Sequence, residues 1–235
     1  MEQQSDHLIG QFPLFRDLTP PELDYVHQIT VPRFVPKKSV IFTEGSERQA
    51  VYFIREGLVK TFKTDANGNE QIVSFLKSGE MFPHTGFFNN EPYPATATAV
   101  TDSHLFAVPI SSFERMILQH PEMSVKMMRV MGAKIQELQT RIQELTGCDV
   151  EQRLFSILNH LAEKQIKANG NTRQIELPVT HQELASVIGT SRETVSRLLN
   201  QLRKEQILQI SRNEIVIIDW PSLKSKYLKR NAANL

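Results

Sequence analysis

Cysteine is almost absent from this chain. Its 235 residues include one, Cys148, which excludes an intrachain disulfide and any metal or iron–sulfur site built from four thiolates. Long apolar runs are also missing, and none approaches the roughly 18 residues that a bilayer-spanning helix needs. The opening segment MEQQSDHLIGQF has neither the basic stretch nor the apolar core of a secretion signal, so a cytoplasmic protein without a membrane segment is expected. No Ser/His/Asp or Cys/His spacing, Walker-type loop or carboxylate pair stands out. A non-enzyme without a cofactor is therefore expected. Net charge is small as well, at +1, so composition alone points to no polyanionic partner.

The charge that is present is unevenly placed. From Thr172 to Leu235, ten Lys and Arg face six Asp and Glu, which leaves the first 171 residues at −3. A mildly basic tail on a neutral body suits nucleic-acid binding. The length allows more than one core.

Near the start, Thr19 precedes Pro20 and Pro21 as an N-cap would, and Leu23, Val26 and Ile29 share one helical face. From about Thr30 to Ile110 the pattern becomes short β-prone runs: Val40–Thr43, Val51–Ile54, Leu58–Thr64, Gln71–Leu76 and Thr96–Val108. Turn residues separate them, among them the hairpin pair Asn67-Gly68. Strands so short and evenly spaced predict an antiparallel sandwich or barrel.

Helical spacing resumes at Pro121. Ser124, Met128, Met131, Ile135, Leu138, Ile142 and Leu145 are separated by alternating steps of four and three residues. A 3.5-residue stripe is a seam for a second helix, and it predicts a parallel homodimer. Glu137 and Arg141 form a favourable i,i+4 pair beside it. Gly147 ends the helix, and Asp149 with Gln152 forms a capping box for the next, whose core face is Leu154, Ile157, Leu158 and Leu161.

The segment Leu177–Arg203 reads as two short helices joined by a turn. Thr180 and Glu183 make another capping box, Leu184, Val187 and Ile188 face inward, and Gly189 permits a sharp turn. Val195, Leu198, Leu199 and Leu202 form the buried stripe of the second helix. Arg192, Glu193, Ser196 and Arg197 lie off it, where a DNA major groove would meet them. Thr190 is one possible N-cap, and Glu193 would then stabilise its own helix start. Two alternating runs, Ile207–Ile210 and Glu214–Ile218, complete a winged helix-turn-helix.

On these residues the chain resembles the CRP/FNR superfamily of bacterial transcription regulators. Thr190-Ser191-Arg192-Glu193-Thr194-Val195-Ser196-Arg197 is similar to the family recognition helix. Phe42-Thr43-Glu44-Gly45 and Tyr52–Lys60 resemble the family's β-roll. The resemblance implies an α+β protein in three parts. These are a β-roll sensor domain at 1–118, a dimerisation helix at 119–147 and a winged helix-turn-helix DNA-binding domain at 148–235. By the same resemblance, helix 191–205 reads a TGTGA-like inverted repeat. Arg192 and Arg197 would donate to guanines and Glu193 would accept from a cytosine amino group, with Thr180, Ser191 and Ser196 completing the DNA contacts. Ser196 is the FNR-branch residue; Arg192, Glu193 and Arg197 are similar to the cAMP-receptor branch. RNA polymerase is an implied partner, through the loop Lys167–Arg173.

The family's cAMP ligands are a Gly-Glu pair and an Arg-Ser pair. Aligned on Gly86-Phe87-Phe88, those positions hold Pro83 and His84, and Pro94 and Ala95. Carboxylate and guanidinium are both missing, so control by cAMP is not expected. The corresponding effector pocket would be His84, Thr85, Gly86, Pro94 and Ala95, with its small-molecule effector unidentified. Other triggers stay open: redox change at Cys148, or haem or metal at His84, Tyr93 and His104. So does a small-molecule-binding β-roll protein whose helix-turn-helix is only a scaffold.

Overall fold

The computed structural model describes residues 9–16, 18–66, 68–86, 91–169, 174–211 and 214–232. Asn67 of the expected hairpin pair, Phe87-Phe88, most of the loop 167–173 and the side chains of Arg141 and Leu145 lie outside the described residues. The chain divides into two compact units that part between Glu137 and Leu138.

In the first unit, α1 (Pro20–Ile29) begins where Thr19 predicts. The Glu22 carboxylate accepts from the Thr19 N–H at 2.7 Å and from its hydroxyl at 2.8 Å. Among the described residues eight strands follow, β1 (Val31–Val35), β2 (Val40–Phe42), β3 (Ala50–Glu56), β4 (Leu58–Thr64), β5 (Glu70–Lys77), β6 (Met81–Phe82), β7 (Thr96–Ala99) and β8 (Ser103–Pro109). They form two antiparallel four-stranded sheets, ordered β1-β8-β3-β6 and β2-β7-β4-β5.

Strand β3 explains the layering. Its residues Ala50 to Ile54 are all buried, although successive side chains point to opposite faces. Ala50, Tyr52 and Ile54 enter one core with Phe42, Val59, Leu76, Phe82, Tyr93 and Leu105, between the sheets. Val51 and Phe53 enter a second core with Phe12, Phe15, Val26, Phe106, Phe113, Met123 and Met127. The helical layer over that face comprises α1, α2 (Ile110–Gln119) and the start of α3 (Pro121–Gly147).

One sequence expectation needs correction here. The run Thr96–Val108 is not one strand: it splits into β7 and β8, which belong to different sheets. The break is made by long-range bonds, since Val100 N–H donates to Leu58 O at 2.7 Å and the Asp102 carboxylate accepts from Lys37 N–H at 2.7 Å. Strands β1, which contains Pro32, and β6 lie outside the runs named from the sequence. Strand β1 lies at a sheet edge, where a missing N–H is tolerated.

The second unit holds the distal part of α3, then α4 (Val150–Asn169), β9 (Ile175–Leu177), α5 (His181–Ile188), α6 (Arg192–Lys204), β10 (Leu208–Ile210), β11 (Ile215–Ile217) and α7 (Trp220–Ala232). Asp149 and Gln152 exchange hydrogen bonds of 2.9 and 2.8 Å at the start of α4, as their spacing predicts. Leu154, Leu158 and Leu161 are buried, joined by Phe155, whereas Ile157 is only half-buried. The wing has a third strand, β9, so the sheet runs β10-β11-β9.

Candidate nucleic-acid interface

The two helices of the reader are fixed at their ends by short-range chemistry. Thr180 caps α5: Glu183 N–H donates to its hydroxyl at 3.2 Å, and the Glu183 carboxylate accepts from Thr180 N–H at 2.9 Å. Leu184, Ala185, Val187 and Ile188 are buried. Gly189 then takes φ 65° and ψ 54°, a left-handed conformation that a side chain disfavours and that turns the chain into α6. Ser191, not Thr190, is the N-cap of α6, accepting from Thr194 N–H at 3.2 Å. Its C-cap is Glu205, which an ion pair to Lys226 of α7 holds at 2.8 Å.

Val195, Leu199 and Leu202 are buried beneath α6, and Leu198 is half-buried at the margin of the stripe. On the other side Ser191, Arg192, Glu193 and Arg197 are exposed, and Thr180 and Ser196 are half-buried. The first two turns of α6 thus present two guanidinium groups and a carboxylate to solvent. Hydrogen bonding to its own backbone N–H, then to the Ser191 hydroxyl, holds the Glu193 carboxyl below its usual range, with Arg192 adding to the effect. His181, which opens α5, had no assigned role in the sequence reading. Burial, and then the Arg192 charge, lowers its pKa, which sets an imidazole beside the first reading residue.

The stripe on α3 divides by environment. Met128, Ile135, Leu138 and Ile142 are exposed apolar side chains, Met128 at 64% and Ile142 at 61%. Ser124 instead donates to Ile117 O at 2.9 Å, and Met131 is half-buried against the first unit's own core. Those two positions are engaged within their own unit.

Around the expected effector pocket, Thr85 and Pro94 are exposed, His84 and Gly86 half-buried, and Ala95 buried. Arg48 lies against Thr85 and Gly86, and Tyr93 directly precedes Pro94 in the chain. Tyr93 is 3% exposed; its ring stacks on Phe42, and its hydroxyl accepts from Gln49 and Ala50 N–H groups at 3.2 Å while donating to Ala50 O at 3.0 Å. Burial, followed by the nearby Tyr93, raises the Tyr52 pKa to about 12. The Arg48 guanidinium donates to Thr85 O at 3.2 Å and lies so close to Gly86 that a Cβ there would collide with it. His104 is exposed on the opposite sheet face, against Phe34, so it shares no environment with Tyr93. Among the described residues, one group has the spacing of metal ligands: Glu22, His120 and Glu122. Its Glu22 is already engaged by Thr19 and by His120 Nδ1 at 2.8 Å, a tie between α1 and the α2–α3 joint. Cys148 is half-buried just past α3.

Comparison with known proteins gives this arrangement a lineage. Residues 32–120 match the family described as the cyclic nucleotide-binding domain, and residues 152–226 match the Crp-like helix-turn-helix domain. The chain belongs to the CRP/FNR superfamily. It is a DNA-binding transcription regulator of that type, with an antiparallel β-sheet domain of the cyclic-nucleotide-binding class followed by helices and a helix-turn-helix domain. The anaerobic regulatory protein of Pasteurella multocida is 29% identical over 220 residues, which is 93% of this chain and 80% of that protein. The cyclic AMP receptor protein of Thermus thermophilus is 29% identical over 198 residues, covering 84% of this chain and 88% of that one. The structure of FixK2 from Bradyrhizobium japonicum shares the fold at a TM-score of 0.71, with 21% identity, over 84% of this chain and 96% of that one.

Within this CRP/FNR architecture, His181, Arg48 and Tyr93 are the residues that sequence reasoning left without these roles. His181 could have been found from its place directly after the Thr180 cap. Arg48 and Tyr93 could not, because only the closed roll brings them to Thr85 and Phe42.

Proposed function

We propose that this CRP/FNR regulator is a cytoplasmic homodimer, not an enzyme, that reads a TGTGA-like inverted repeat with the first turns of α6 and does not respond to cAMP. The observation that carries this reading is the exposed trio Arg192, Glu193 and Arg197 on a capped helix whose other face is buried. Guanidinium groups suit the O6 and N7 acceptors of guanine, and a carboxylate suits the amino group of cytosine. Dimerisation is supported by the exposed residues Met128, Ile135, Leu138 and Ile142, which keep coiled-coil spacing on one helix. Two-fold pairing of readers calls for half-sites about one helical turn apart.

Independence from cAMP is supported by two features. Pro83, His84, Pro94 and Ala95 supply neither the carboxylate nor the cation of the family's ligand pairs. The Arg48 guanidinium is engaged by the Thr85 carbonyl and the Tyr93 hydroxyl by backbone groups of Gln49 and Ala50. We assign RNA polymerase contact to the segment 167–173, by the family resemblance alone. Operator selection with purified protein, repeated with and without cAMP over a range of salt, tests the reading. An inverted repeat related to TGTGA, bound steeply less well as salt rises and indifferent to cAMP, is expected. An enriched site without two-fold symmetry, or a cAMP requirement, would overturn it.

A further inference from the structure

One side chain joins two helix ends that flank the reader. Arg153 stands in the first turns of α4, its backbone N–H on Asp149 O at 3.1 Å. Its Nε donates to Ile188 O at 2.9 Å, and its Nη1 donates to Cys148 O at 2.7 Å. Ile188 is the last residue of α5, and Cys148 directly follows the last residue of α3. Carbonyls at these places lack partners in their own helix, because the N–H ladder has run out. Each also lies at the negative pole of a helix dipole. A planar, permanently charged fork can answer both carbonyls as one rigid piece. A lysine ammonium on its flexible stem keeps the charge and loses the fixed angle.

The three residues lie in the same compact unit as Leu138, Ile142 and α6. We propose that Arg153 is a positioning residue for DNA reading: it sets the angle between the end of α3 and α5, and so the separation at which the two α6 helices of a dimer present themselves. This inference rests on the homodimeric reading above. Its physical content is stiffness. With the fork in place, a displaced half-site must bend either DNA or protein; with the fork gone, the joint itself yields.

The test uses full-length protein and TGTGA-type inverted-repeat duplexes whose half-site separation is stepped one base pair at a time, with a single-half-site duplex alongside. The unaltered protein is expected to show a sharp optimum. R153K is expected to bind the best spacing about tenfold more weakly, because the two readers are no longer held ready at that separation. Neighbouring spacings should fall less, so the optimum flattens, while single-half-site binding stays near that of the unaltered protein. R153A should flatten it further. Equal loss at every spacing and on the single half-site would mean that Arg153 merely stabilises its unit, and would overturn the proposal. An R153K profile superimposed on that of the unaltered protein would overturn it too. If the unaltered protein itself fails to distinguish two half-sites from one, the homodimeric reading falls, and this inference with it.

Discussion

The ring of Tyr93 lies flat against that of Phe42, with 3.8 Å between centroids and 6° between planes. Phe42 also meets Tyr52 and Phe82 at 5.7 and 5.8 Å, so four aromatic side chains from separate parts of the chain fill one side of the roll interior. Tyr93→Phe keeps the stack and removes the hydroxyl that serves Gln49 and Ala50. Leaving those groups without it should cost about 1–3 kcal/mol, read as a lowered denaturation midpoint with an unchanged slope. An unchanged midpoint would show that the hydroxyl is not needed there.

Base choice is the direct test of the reader. Arg192→Ala should relax preference at one guanine by about 1–3 kcal/mol while non-specific binding stays largely intact. A binding series with each base substituted in turn reads this out. Uniform weakening at every position would reassign Arg192 to the phosphate backbone.

Leu138 and Ile142 are exposed in the single chain, so placing a charge there leaves each unit's core alone. Leu138→Asp or Ile142→Asp should yield folded monomers in sedimentation, with operator affinity reduced at least a hundredfold because the second half-site no longer contributes. Dimers that persist in both variants would move the interface elsewhere.

Gly189 holds a left-handed backbone at the turn between α5 and α6. Gly189→Ala should destabilise the chain by about 1–2 kcal/mol, and Gly189→Asn by less, because asparagine visits that region more readily. Denaturant unfolding of the two variants gives the order, and a stable alanine variant would refute the strain argument.

Acid should weaken the second unit through His181. Its folded pKa lies below the ordinary 6.5, because of burial first and Arg192 second. The unfolded chain therefore binds that proton more readily. Stability is full above about pH 6.5, declines as pH falls below it, and levels off once the folded-state pKa is passed. Denaturation midpoints between pH 8 and 5 should show this slope, and His181→Gln should flatten it. An unaltered slope would assign the acid loss to other groups.

What could be read from the sequence was short in range. Thr180 with Glu183, Asp149 with Gln152, and Gly189 signal helix ends within four residues of themselves, and all three do so in the structure. The helical spacing of α3 was legible because it repeats, but the engagement of Ser124 and Met131 with their own unit was not. The division between β7 and β8 was not, since Val100, Thr101 and Asp102 carry no glycine or proline and the turn is held by residues such as Leu58 and Lys37, far away in sequence. Ser191 displaced Thr190 as the cap because capping depends on which residue turns extended, and both have suitable hydroxyls. Arg153 stands 35 residues before Ile188, beyond any local pattern.

Strand β3 has one more consequence. Tyr52 touches Phe82 on the roll side, while the adjacent Phe53 touches Phe12, Phe15 and Phe113 on the helical side. The partition between the two interiors is therefore a single strand thick. Tyr52, inside the roll, is thus one peptide bond away from the cluster that seats Met123 and Met127 of α3.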